Sequence, residues 1–180
     1  MRYALACFLD ETVGQYHKSL VNAIAAEFGL ALTKAENLPT HFTLKYWFES
    51  KQIEVIDHIT ENFCKTHQKT QVKVGGCGGF RPKVVFLDVA LSKAAKRVFL
   101  EFVSELRKVQ WVTWDKYEAE NLHFHATLAE ECNEKYDAIR KFMEGNEKHF
   151  ECWFDNISIV REVSRERGIL EWEVHKKHSM

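Results

Sequence analysis

Apolar positions along the 180 residues of this chain alternate between a spacing of two and a helical spacing, and each change marks a new element. Arg2 to Leu9 is mostly apolar and stops at Asp10, which predicts a buried first strand. Val13, His17, Leu20, Ile24 and Phe28 then recur at helical spacing. Asp10 or Thr12 stands where a cap is needed, and Gly29 stands at the C′ position. Leu38-Pro39 breaks the chain ahead of an extended run from His41 to Phe48. Ser50 is placed to cap a second helix reaching His67, with Ile53, Ile56, Ile59 or Thr60, and Phe63 inward. A short strand, Gln71 to Val74, runs into Gly75-Gly76-Cys77-Gly78-Gly79. That stretch lacks the G-x-x-x-x-G-K-[ST] pattern and has no helix directly behind it, so it reads as a turn or bulge between strands. Val84 to Val89 is a strongly apolar strand.

Ser92 opens the clearest helix, in which Ala95, Val98, Phe99, Phe102, Val103, Leu106 and Val109 form one broad apolar stripe. Gln110 to Leu122 carries Trp111, Trp114 and Tyr117 without a period. It reads as a loop whose aromatics pack or, alternatively, stack on a base. A strand over Phe124 to Glu130 follows, then a shorter helix capped by Asn133, with Tyr136, Ile139 and Phe142 or Met143 inward, stopped by Gly145-Asn146. Strands are predicted at Phe150 to Phe154, Ile157 to Val163 and Ile169 to His175, with a turn at Arg165 to Gly168. His175-Lys176-Lys177-His178 reads as a solvated basic tail. The halves repeat one plan, each with strands, a helix and an extended run of similar wording, which predicts a duplication within a single domain over 1–180.

Composition narrows the class. A chain this long buries about 70% of the surface its unfolded form exposes, so no disulfide staple is required. A hydrophobic fraction of 46% with only two prolines argues against disorder. A formal charge of −1 excludes the global basic field of a protein that grips long nucleic acid by its phosphates, while leaving room for a local basic groove. Cys7, Cys64, Cys77, Cys132 and Cys152 are odd in number, scattered and without C-x-x-C spacing, as expected of reduced thiols in a cytoplasmic protein. No apolar stretch approaches the 18 residues of a membrane span.

The chemistry concentrates in two tetrapeptides, His41-Phe42-Thr43-Leu44 and His125-Ala126-Thr127-Leu128, whose starts lie 84 residues apart. In a chain of this composition a chance His-x-Thr-Leu should occur about 0.03 times, so two copies constitute a pattern. On a strand, residues two apart share a face, so each copy aims an imidazole and a hydroxyl together and sends its apolar pair into the core. Two histidines across a groove make an acid and base pair suited to in-line displacement at phosphorus, with Thr43 and Thr127 donating to the oxygens where charge builds. No metal or other cofactor is needed.

Paired His-x-Thr-Leu motifs half a chain apart resemble those of the 2H phosphoesterase superfamily, in particular the 2′-5′ RNA ligase and cyclic phosphodiesterase-like proteins. Gly79-Phe80 leading into Val84 to Val89, and Ile157 to Val163 with Gly168 to Val174, are similar to that family's central strand and closing hairpin. Ile169 departs from it, since many relatives carry an aromatic there. The resemblance implies an α+β fold in which two lobes are related by a pseudo-twofold, with antiparallel sheets, helices outside and a central groove. It implies catalytic roles for His41, Thr43, His125 and Thr127. It also implies a substrate with a 2′,3′-cyclic phosphate or a 2′,5′ linkage, on a nucleotide or an RNA end. Ligation in the reverse direction and an RNA-end binding module without turnover are the alternatives.

His123 alternates with His125 and Thr127. It reads as a substrate contact, an exposed or structural histidine, or, in a metal-dependent hydrolase, a ligand beside His125. Arg81, Lys83 and Arg161 are candidate phosphate partners. His17, His58, His67 and His149 read as helix-face or loop residues. A monomer in the cytoplasm completes the expectation.

Overall fold

Two β-α-β-α runs set the architecture of the computed structural model, which describes residues 1–31, 37–164 and 170–180. The first consists of β1 (Arg2–Phe8), α1 (Glu11–Phe28), β2 (His41–Glu49) and α2 (Ile53–Thr66). After β3 (Thr70–Phe80) the second consists of β4 (Val84–Leu91), α3 (Lys93–Arg107), β5 (His125–Ala129) and α4 (Tyr136–Met143). Strands β6 (His149–Phe154), β7 (Asn156–Ser164) and β8 (Leu170–Ser179) close the chain. One sheet has the order β2-β1-β7-β8 and the other β5-β4-β3-β6, with every pairing antiparallel. The motif strands β2 and β5 therefore hold the same place, at an edge of each sheet. This is the pseudo-twofold α+β arrangement that the family resemblance implies.

One apolar core lies beneath both sheets. Leu5, Phe42 and Leu44 come from the first, Val85, Leu87, Ala126 and Leu128 from the second, and Phe99 and Phe102 from α3. Each large side chain buried this way contributes about 1.5–3 kcal/mol. Phe42 does more than fix its own strand. Its ring meets Phe124 and Phe154, next to and within the second sheet, edge-on at 5.8 and 6.0 Å, so the first motif's apolar residue also joins the lobes.

Local signals explain most ends. Asp10 accepts from the Val13 N–H at 3.0 Å, Gly29 takes the left-handed position at φ 59°, and Ser92 accepts from Ala95 N–H at 3.1 Å. Four expectations are corrected. Gln52, not Ser50, is the cap position of α2, and Ser50 Oγ instead accepts from the Gln52 N–H two residues on. Asn133 caps nothing: it sits at φ 48°, donates to the Glu131 carbonyl and begins a short 3-10 turn ahead of α4. Strand β3 does not stop at Val74 but runs through the glycines to Phe80, with a bulge between Val74 and Cys77 where Gly76 adopts φ 71°. A Cβ at Gly78 would fall on the Phe86 ring, so the glycine admits a close approach within a strand instead of turning it. The basic tail is the end of β8, where Lys176 and His178 both bond the Asp57 carboxylate of α2, at 2.6 and 2.7 Å. The predicted turn at 165–168 and the departure at Ile169 lie outside the described residues. Among those residues, no helix is long and apolar enough to cross a membrane.

Candidate active site

Alternation along the two edge strands sorts the motif side chains. Phe42, Leu44, Ala126 and Leu128 are at most 2% exposed. His41 and Thr43 stand beside Phe8 and Ala6 of β1, and His125 and Thr127 beside Asp88 and Phe86 of β4, on the other face. All four polar residues line one groove of about 910 Å³. Its floor includes Ala4, Ala6 and Val160, with Trp47 and Trp172 also in its wall. Helix α1 contributes Glu11, Gly14, His17 and Lys18, and its cap Asp10 also lines the groove.

The two imidazoles are set in the same way. His41 Nδ1 lies 2.8 Å from the carbonyl of Pro39, and His125 Nδ1 lies 2.8 Å from the carbonyl of His123, in each case two residues back. A carbonyl can only accept, so both rings carry their proton on Nδ1 and keep Nε2 as the nitrogen able to exchange one. Burial is the main influence on each and pushes both pKa values below the ordinary histidine range, against the contribution of the carbonyl bond. At His125, the neighbouring His123 and His41 rings lower the value further, while the Asp88 carboxylate raises it. With both values lowered, the two rings are mostly neutral around neutral pH.

His17 is the groove residue that sequence reasoning placed elsewhere. It follows Val13 on the helical stripe and reads as an ordinary helix-face position, yet it reaches the second motif and the residue just ahead of the first. Its Nε2 lies 2.7 Å from the Thr127 carbonyl and its Nδ1 lies 3.2 Å from the Thr40 hydroxyl. Burial pulls its pKa down to about 4, with the His41 ring adding to the effect and the Thr127 bond opposing it. Partners 110 and 23 residues away leave no local trace in sequence.

The remaining candidates are placed differently. His123 is beside His125, ring centres 6.0 Å apart, and its Nε2 bonds Asp88 at 2.8 Å; it does not line the groove. Arg81 projects from the exposed turn after β3 and forks onto Asp137 at 2.7 and 2.9 Å. Arg161 pairs with Glu173 and stands in register with Tyr3, on the face of the sheet away from the groove, because Val160 takes the groove side. Lys83 follows in the same exposed turn as Arg81. Among the described residues, Lys18 of α1 is the lysine that lines the groove. Among the described residues, no three His, Cys, Asp or Glu side chains are grouped to hold a metal ion, the pair His123 and His125 included.

Several solved structures share this fold over nearly all of both chains. TT0787 of Thermus thermophilus superposes with a TM-score of 0.62 at 18% identity, covering 99% of this chain and 97% of that one. Escherichia coli LigT, in its complex with 3′-AMP, gives 0.64 at 13% identity, with 99% and 97% covered. Kluyveromyces marxianus Usb1 gives 0.52 at 16% identity, with 99% and 98% covered. In a comparison with curated proteins, none matches this chain. The model of the 2′-5′ RNA ligase superfamily matches residues 12–166, including both His-x-Thr-Leu strands. With the fold and the motif pair in agreement, the chain belongs to the 2′-5′ RNA ligase superfamily, a family of 2H phosphoesterases.

Proposed function

We propose that this protein is a metal-independent phosphodiesterase that opens 2′,3′-cyclic phosphates, or cleaves 2′,5′ linkages, on a nucleotide or RNA end. Membership of the superfamily supports phosphodiester or RNA-end chemistry in general. The observation that carries the finer reading is the shared tautomer: two imidazoles, each with Nδ1–H held by a carbonyl, flank one groove and keep Nε2 for proton exchange. One Nε2 takes a proton from the attacking water as its oxygen bonds phosphorus. The other gives a proton to the 3′ oxygen as the P–O3′ bond breaks, leaving a 2′-phosphate and a 3′-hydroxyl. Thr43 and Thr127 supply hydroxyls toward the phosphoryl oxygens, and Lys18 adds positive charge at the α1 side.

LigT is seen in solved complexes with 3′-AMP and with phosphate, which fits a groove that accepts a nucleotide. In this chain Trp47 and Trp172 supply apolar walls over a floor of small side chains, suited to a planar base. Trp172→Ala is expected to cost about 1–3 kcal/mol of base stacking, raising KM roughly 5- to 150-fold with little change in kcat. An unchanged KM would place the base elsewhere. A monomer in a reducing, cytoplasmic setting completes the proposal; the five free thiols fit that compartment.

The test is hydrolysis of a nucleoside 2′,3′-cyclic phosphate in the presence of chelator, followed to the 2′-phosphate. Activity lost on chelation and restored by stoichiometric metal would replace this mechanism with a metal-dependent one. Tight binding of a 2′-phosphorylated oligonucleotide, with no turnover of any phosphodiester, would favour a binding module. Attack of a 5′-hydroxyl on the 2′,3′-cyclic phosphate, forming the P–O5′ bond as P–O3′ breaks and leaving a 2′,5′ linkage, would extend the activity to ligation, since the same two groups serve both directions.

A further inference from the structure

His17 belongs to neither motif and is bonded to the surroundings of both. A carbonyl accepts only, so the contact with Thr127 fixes the His17 proton on Nε2; the neutral ring then accepts at Nδ1 from the Thr40 hydroxyl. Thr40 is itself anchored, its carbonyl accepting from the Leu9 N–H at 2.8 Å. A continuous polar link thus runs from the residue just ahead of His41, through a helix side chain, to the backbone of the second motif.

The link matters because β2 and β5 are edges of different sheets, and among the described residues no ladder joins them. Register within either sheet fixes His41 relative to Thr43, and His125 relative to Thr127, but not one motif relative to the other. The apolar contacts of Phe42 bring the strands together without a directional constraint. We infer that His17 is a positioning residue, which sets the spacing and facing of the two motif imidazoles by tying the Thr127 carbonyl to the Thr40 hydroxyl. The inference rests on the two-histidine reading above. In-line transfer requires both proton carriers to meet one phosphorus, and a misplacement of about 1 Å costs on the order of 10²-fold in rate. The burial of His17 serves the same end, since it pulls the pKa down to about 4, and a ring that is neutral around neutral pH keeps one tautomer and one pair of bonds.

The experiment compares His17→Phe, which keeps a ring and removes both bonds, with His17→Gln, whose side-chain amide still donates toward Thr127, and with Thr40→Val. On a 2′,3′-cyclic phosphate, His17→Phe is expected to lower kcat by roughly 10- to 100-fold. His17→Gln should recover most of that loss, and the His17→Phe/Thr40→Val pair should be no worse than His17→Phe alone, because both substitutions break one link. Wild-type kcat in the folded fraction of His17→Phe would overturn the inference. A second readout needs no turnover: inorganic phosphate titrated against the ring signals of His41 and His125. Wild-type protein should show one shared Kd at both rings, and His17→Phe should weaken that Kd at least about tenfold or split it. An unchanged shared Kd in His17→Phe overturns the positioning role. Wild-type protein that binds phosphate in this way but turns nothing over overturns the enzymatic reading and leaves the positioning role to the titration.

Discussion

Alanine at either His41 or His125 is expected to lower kcat/KM on a 2′,3′-cyclic phosphate by about 10²–10⁴-fold, the range for losing one positioned acid or base. The double substitution should cost little more than the worse single one, because the two groups act in one proton-transfer event and their losses do not multiply. Neither ring belongs to the buried core, so circular dichroism should show the fold retained. Near wild-type rates in either single variant would sink the two-histidine mechanism. The pH profile gives an independent check. Turnover needs one ring neutral and the other protonated, a state most populated between the two pKa values. In the free protein burial lowers both, so kcat/KM should peak below the ordinary histidine pKa of about 6.5 and fall as pH rises past the higher of the two. A bound phosphate anion raises both values, so the alkaline limb of kcat should lie at higher pH than that of kcat/KM. A kcat/KM optimum well above 6.5 would show that burial does not control these rings.

Alternation made the motif strands legible. His41 and Thr43 share a face with nothing more than period two to declare it, and the same rule, applied across the register, turns Arg161 away from the groove. Legibility ended where a residue's partner is remote or its role is defined by absence. Glycine in β3 reads as punctuation because it has no side chain, and the structure uses that same lack to admit Phe86. Lys176 and His178 read as a solvated tail because their partner, Asp57, lies on another element more than a hundred residues earlier. Arg81 is drawn off by Asp137, a neighbour that only the folding of α4 against β4 provides.

Lys45→Met is expected to destabilise the protein by about 3–5 kcal/mol, because it strands a carboxylate that the fold has removed from water. Lys45 directly follows the first motif, and alternation alone would turn it outward. The register shift between Leu5 and Ala6 sets Lys45 opposite the core-facing Leu5, so Leu44 and Lys45 both point inward and Lys45 is 1% exposed. There its ammonium bonds both oxygens of Glu118, at 2.7 and 3.0 Å, with the Trp114 ring 5.0 Å away. Glu118 also accepts from the Tyr46 and Asp115 backbone N–H groups, at 2.7 and 2.6 Å, pinning the loop between α3 and β5 under the strand that carries His41. An exposed pair would contribute at most about 1 kcal/mol, so burial decides the magnitude. For a domain of this size, each kcal/mol shifts Tm by about 2–4 °C, which places the Lys45→Met midpoint roughly 6–20 °C below wild type. Glu118→Gln should cost a similar amount by leaving the ammonium unpaired. The double variant Lys45→Met/Glu118→Gln should recover part of either loss, since it buries no charge and the amide oxygen still accepts from backbone. Single variants within about 1 kcal/mol of wild type would mean that water reaches the pair and that the loop is held by its tryptophans instead.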